Sequence, residues 1–269
     1  METVEFERVK LELADNVATI TMNDPAALNA AGLAMVGGLI DAFTYIEDPA
    51  KGVRAAVLTG EGRGFCSGAN LAGDGSAENK NLGPGDAGDA LERGYHPLLL
   101  RMKELDMPFL TAVNGPAAGV GMSFALMGDL VIANESAYFL QAFRRIGLVP
   151  DGGSTYIIPR LVGTKRAMEL SLLGEKLFAP QALEWGLINR VVPDGEALNT
   201  AQALAKELAE GPTQSLSRIR KLYWESLENT FPEQLHQERL AQREAGRTKD
   251  FAEGVTAFLQ KRPAEFKGE

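Results

Sequence analysis

Three observations predict an α/β fold with mostly parallel strands. Short apolar runs such as Val57-Leu58-Thr59 and Phe109-Leu110-Thr111-Ala112-Val113 alternate with segments of helical spacing. Glycine-rich turns follow two of those runs directly. After Val192-Pro193 the strand-like runs stop and helical patterns continue alone.

The elements follow in order. Alternation in Val9-Lys10-Leu11-Glu12-Leu13, the turn residues Ala14-Asp15-Asn16, and Val17-Ala18-Thr19-Ile20-Thr21 predict a β-hairpin. Residues 32–46 place Leu33, Val36, Leu39, Ile40 and Phe43 at helical spacing, and 53–59 predict a short buried strand. A second round brings a helix over 89–105, a strand over 109–113 and a helix from 119, and another strand is expected at 130–133. Between 71 and 94 the pattern breaks into polar, glycine-rich sequence such as Asn81-Leu82-Gly83-Pro84-Gly85-Asp86. It reads as a mobile loop, either a surface excursion or an active-site lid. Helices are predicted over 196–209, 213–227, 232–245 and 250–260, punctuated by Gly211-Pro212 and by Asn229-Thr230-Phe231-Pro232. The expected division is a core over 1–195 and a helical region over 196–269.

Composition excludes several functions. The 269 residues are 45% hydrophobic, enough for a large buried core. A net charge of −9 gathers neither nucleic acid nor an anionic membrane, so an anionic ligand would be held by a few placed cations. Cys66 is the one cysteine, which rules out an intrachain disulfide. The acidic start Met1-Glu2-Thr3-Val4-Glu5 does not resemble a signal peptide, and no apolar run approaches the ~20 residues of a membrane span. A cytoplasmic protein is expected.

Asp151 is the only acid between Ser136 and Met168 and sits in Gly147-Leu148-Val149-Pro150-Asp151-Gly152-Gly153. Such an Asp can start a turn or cap the helix expected near Ser154. An isolated carboxylate in apolar surroundings is also a stronger base, suited to proton transfer. Two glycine turns, Gly62-Arg63-Gly64-Phe65-Cys66-Ser67-Gly68-Ala69-Asn70-Leu71 and Asn114-Gly115-Pro116-Ala117-Ala118-Gly119-Val120-Gly121, could converge into an oxyanion hole or merely allow tight packing. Gly119-x-Gly121 is a poor dinucleotide fingerprint, because Phe124 stands where the third glycine belongs. Neither His96 nor His236 has a local metal partner. His236 reads as solvated, and His96 as packed, with a pocket-facing position as its alternative. Ser67 lacks a nucleophile-elbow setting.

The second turn, Gly128-Asp129-Leu130-Val131-Ile132-Ala133, Leu161-Val162-Gly163, Ala182-Leu183-Glu184-Trp185-Gly186-Leu187 and the segment from Glu253 to Arg262 together resemble the crotonase superfamily, the enoyl-CoA hydratases and isomerases. The resemblance covers essentially the whole chain. It implies a spiral of ββα turns with a helical C-terminal extension that forms trimers or dimers of trimers around an acyl-CoA thioester. CoA enters as part of the substrate, and no separate cofactor or metal is implied. By the same resemblance, Ala69 and Val120 N–H groups form the oxyanion hole. Ala27, Leu28, Cys66, Gly68, Asn70, Leu71, His96, Gly119 and Phe143 line the substrate site, while Phe258 and Lys261 come from a neighbouring subunit, and Arg262 is a further candidate cation. The family's hydratases use two glutamates, at positions held here by Ser123 and Phe143. Asp151 stands where several isomerases of the family carry their catalytic acid. Tyr95-His96-Pro97-Leu98 and residues 142–153 are most similar to the ring-epoxide isomerases of phenylacetate breakdown. Hydratase, aromatic acyl-CoA dehalogenase and non-catalytic acyl-CoA binder stay open as alternatives.

Overall fold

A computed structural model describes residues 2–70 and 88–269. Three antiparallel strands open it: β1 (Glu2–Phe6), β2 (Val9–Ala14) and β3 (Val17–Met22). Asp15 and Asn16, with φ of 51° and 61°, make the two-residue turn whose twist suits a hairpin. Then follow α1 (Leu33–Ile46), β4 (Ala55–Gly60), α2 (His96–Glu104) behind a single π turn (Leu91–Tyr95), β5 (Phe109–Val113), β6 (Ala117–Ala118) and α3 (Val120–Leu126). The next round comprises β7 (Leu130–Asn134), β8 (Tyr138–Leu140), α4 (Ser154–Leu173), β9 (Lys176–Phe178), α5 (Ala179–Glu184) and β10 (Arg190–Val192). Helices α6 (Ala197–Ala209), α7 (Thr213–Ser226), α8 (Phe231–Ala245) and α9 (Lys249–Gln260) complete the chain.

The main sheet has the order β1-β2-β3-β4-β5-β7-β10 and is parallel from β3 onward. A second ladder runs beside it. Ala31 bridges Ala69, Cys66 bridges Ala117, and β6 pairs with β8, which pairs with β9. Each circuit therefore visits the main sheet, then the small ladder, then a helix, and this repetition builds a ββα spiral. The small-ladder strands are two or three residues long, too short to show periodicity, and the sequence reading did not anticipate them. Nor did it anticipate β1, whose residues are mostly exposed at the sheet edge.

Both faces of the sheet are covered, so β4 and β5 are buried throughout. Leu11, Ile20, Leu58 and Phe109 pack with Phe43, Met35 and Leu39 of α1 and Met102 of α2. On the other face Ala197, Ala201, Ala205 and Ala209 form a stripe of small side chains along α6, bringing it close to Val57, Leu110 and Ile132. Among the described residues no helix is long and apolar enough to cross a membrane.

Candidate active site

The small ladder positions both glycine turns. Gly68 (φ 103°) and Gly119 (φ 52°) lie backbone to backbone. A Cβ on Gly68 would stand 2.9 Å from the Ala118 carbonyl oxygen and 3.8 Å from Gly119 Cα. Two stretches far apart in sequence thus meet because neither carries a side chain at the contact. Val120 is the first residue of α3, so its N–H has no acceptor within the helix. Among the described residues neither the Ala69 nor the Val120 N–H donates to a backbone carbonyl. Two such donors on adjoining turns can polarise a carbonyl oxygen that gains charge.

Neighbouring segments brace the first turn. Ser67 donates through its N–H to the Leu28 carbonyl (3.0 Å) and through Oγ to the Ala27 carbonyl (3.1 Å). The Ala31 N–H donates to the Gly68 carbonyl at 2.7 Å, and Tyr95 Oη donates to the Ala31 carbonyl. The Cys66 thiol is buried, and desolvation pushes its pKa up to about 12, so only the backbone of Cys66 is chemically available. Asn70 ends this described stretch. Leu71 and the loop expected over 71–87 lie outside the described residues.

Asp151 precedes Gly152, which lies against Val120 and Ser123 of α3. Gly152 and Gly153 take φ of 59° and 77°, and α4 begins immediately after them. The Asp151 side chain does not cap this helix; Gly153 occupies the cap position. It is the Asp151 backbone carbonyl that accepts, from the Ser154 N–H at 3.0 Å and Ser154 Oγ at 2.5 Å. The carboxylate is left over. Its Oδ1 is buried and, among the described residues, has no hydrogen-bond partner. Burial raises its pKa from 3.8 to about 6, with His96 the opposing electrostatic influence. His96 is exposed at the start of α2 rather than packed in the core, because Leu98 and Leu99 take the inward face.

The two positions where hydratases of the resembled family carry acids flank the same place. Phe143 is buried, its Cζ 3.7 Å from where a Gly119 Cβ would lie. Ser123, fully buried, lies under Gly152, whose added Cβ would stand 2.7 Å from Ser123 Oγ and 3.1 Å from Val120 Cγ2. The structure thus collects Gly68, Ala69, Gly119, Val120, Ser123, Phe143 and Asp151. It does not bring Phe258 and Lys261 to them within one chain. Phe258 is 82% exposed on α9 and, with residues of α7 and α8, lines a separate cavity of about 410 Å³. Lys261 closes α9 in a left-handed conformation, and Arg262 pairs with Glu253. Sequence reading missed Ser154, although a serine three residues after an aspartate is a local turn signal.

The carboxylate's environment sets a pH dependence. If Asp151 is the base, only its ionised form accepts a proton, and kcat/KM is then expected to rise tenfold per pH unit below about 6 and level off above it, as pH–rate measurement would show. Protonation correspondingly favours the fold: this contribution is complete below 3.8 and is lost as pH rises through about 6.

Comparison with known proteins agrees with this geometry. The enoyl-CoA hydratase/isomerase family model matches residues 12–269. The chain is 45% identical over 267 residues to the 1,2-epoxyphenylacetyl-CoA isomerase of Escherichia coli, covering 98% of this chain and 99% of that protein. It is 43% identical over 263 residues to a probable enoyl-CoA hydratase of Rhodobacter capsulatus, covering 98% and 99%. The solved structure of an enoyl-CoA hydratase/isomerase from Cupriavidus metallidurans superposes with a TM-score of 0.89 at 30% identity, covering 98% of each chain. The spiral, the paired turns and these similarities together place the chain in the crotonase family of enoyl-CoA hydratases and isomerases.

Proposed function

We propose that the protein is an acyl-CoA isomerase that shifts a double bond, or isomerises a ring epoxide, in a CoA thioester by proton transfer through one carboxylate. The observation that carries this reading is the buried Asp151 Oδ1, without a hydrogen-bond partner among the described residues, on a turn whose Gly152 packs against Val120 and Ser123, with Ser123 and Phe143 where a second acid would be needed. For a 3-enoyl thioester, the Ala69 and Val120 N–H groups hold the carbonyl oxygen. Asp151 removes the proton between the double bond and the carbonyl, and the C–H electrons pass into the dienolate. The protonated carboxyl then returns the proton at the far end of the conjugated system, so the double bond moves and nothing is added. Each oxyanion donor contributes ~3 kcal/mol to such a step. Neither Ser123 nor Phe143 can activate water as a carboxylate would, which disfavours hydration.

CoA arrives with the substrate and no cofactor is required. We further assign 196–269 to assembly as a trimer or dimer of trimers, with Phe258 and Lys261 reaching a neighbour's CoA. The exposed apolar side chains of Tyr223, Phe231, Phe251 and Leu259 support burial in such an assembly. A panel of a linear 3-enoyl-CoA, epoxyphenylacetyl-CoA and crotonyl-CoA, followed by absorbance, tests the reading. Isomerisation of one of the first two is expected to exceed crotonyl-CoA hydration by at least roughly tenfold; comparable hydration would refute it. The electrostatic influence of His96 on Asp151 favours one second reading, in which the carboxylate attacks a haloaryl-CoA; chloride release from chlorobenzoyl-CoA would reveal it.

A further inference from the structure

Ser123 and Ser154 are buried hydroxyls beside the candidate base, and neither bonds its carboxylate. Both donate to the backbone carbonyl of Asp151, Ser154 at 2.5 Å and Ser123 at 3.3 Å. The two contacts differ in kind. Ser154 is local and shapes the turn into α4. Ser123 belongs to α3, three residues after Val120 and therefore on the same face of that short helix. Gly152 reinforces the contact by sitting so closely on Ser123 that an added Cβ would lie 2.7 Å from its Oγ and 2.9 Å from its Cβ.

We propose that Ser123 is a positioning residue that ties the Asp151 turn to the helix bearing the Val120 N–H, so that base and oxyanion hole keep one fixed separation. The proposal rests on the isomerase reading above. Proton transfer demands this registration, because the acid must reach two carbons of a substrate whose carbonyl is held at the hole, and errors near 1 Å are costly. A hydroxyl suits the task better than a carboxamide or a second acid. It satisfies the backbone carbonyl without donating to the Asp151 carboxylate, and so leaves the base unstabilised and reactive. His96 at the start of α2 is the electrostatic influence that opposes burial at that carboxylate. Ser123 therefore has a function of its own at a position where hydratases of the family hold a glutamate.

The test compares wild type, Asp151→Asn, Ser123→Ala and Ser154→Ala on whichever panel substrate wild type turns over. In parallel, the Asp151 carboxyl is titrated by ¹³C NMR in wild type and Ser123→Ala, with Asp151→Asn as the assignment control. Loss of one hydroxyl is expected to leave the fold intact, because Asp151's carbonyl keeps its other donors. In Ser123→Ala, kcat is expected to fall roughly tenfold with KM within about twofold. Its carboxyl midpoint is expected to move down by at least about half a unit, as the loosened turn admits water. Ser154→Ala, which keeps the link to α3, is expected to lose less. If Asp151→Asn is inactive while Ser123→Ala keeps wild-type kcat and midpoint, the tie is wrong and the base assignment stands. A Ser123→Ala variant that loses only thermal stability also overturns the tie. If Asp151→Asn remains active, the base assignment itself fails and the tie falls with it.

Discussion

Replacing Asp151 with asparagine is expected to lower isomerase turnover at least ~100-fold while acyl-CoA binding persists. Asparagine keeps the shape, the turn and both serine bonds, since those reach the backbone carbonyl and not the side chain. What disappears is the basic carboxylate, whose Oδ1 has no partner among the described residues. The proposed oxyanion donors, Ala69 and Val120, are backbone groups that the substitution leaves untouched, so thioester affinity measured by calorimetry should change little. Near-normal turnover in the asparagine variant would remove Asp151 from the mechanism.

The largest expected effect on stability lies elsewhere. Arg220, 5% exposed on α7, grips Asp129 with Nε at 2.8 and 2.9 Å from the two carboxylate oxygens. It also donates to the carbonyls of Met102, Lys103 and Leu105 at the end of α2, while Asp129 accepts the Phe109 N–H at 2.8 Å. One guanidinium thus joins α7, the end of α2 and the start of β5. Arg220→Ala leaves three carbonyls without their donor and a partly exposed Asp129 carboxylate without its cation, and should cost about 2–3 kcal/mol in urea unfolding at fixed protein concentration. Arg220→Lys should recover little, because an ammonium cannot reproduce the planar fork. A loss below ~1 kcal/mol would mean that water replaces the guanidinium freely.

The two experiments separate layers that differ in how readily they could be read from the sequence. The β2–β3 hairpin, the buried strands and the C-terminal helices announce themselves by side-chain period, and their expected limits match the structure within a few residues. Elements set by pairing alone were hidden. β6 and β8 exist because the spiral stacks them, and the π turn ahead of His96 leaves no apolar signature. At the site, residue types were legible and relationships were not. Asp151 stood out as an isolated acid, yet its carbonyl accepts the hydrogen bonds while its buried Oδ1 has no partner among the described residues, a distinction that no sequence pattern carries. Ser123 was legible as a missing glutamate and became a bridge only when Gly152 was found lying against it.

Cys66 has a practical consequence. Its sulfur lies under the second glycine turn, where a Cβ on Gly121 would stand 2.8 Å from Sγ. It is also the one thiol in the sequence. A maleimide or disulfide reagent can react only when these backbones part, so the labelling rate of the unmodified protein counts openings of the glycine turns. The molecule carries a native clock for the breathing of its candidate site, free of any introduced probe.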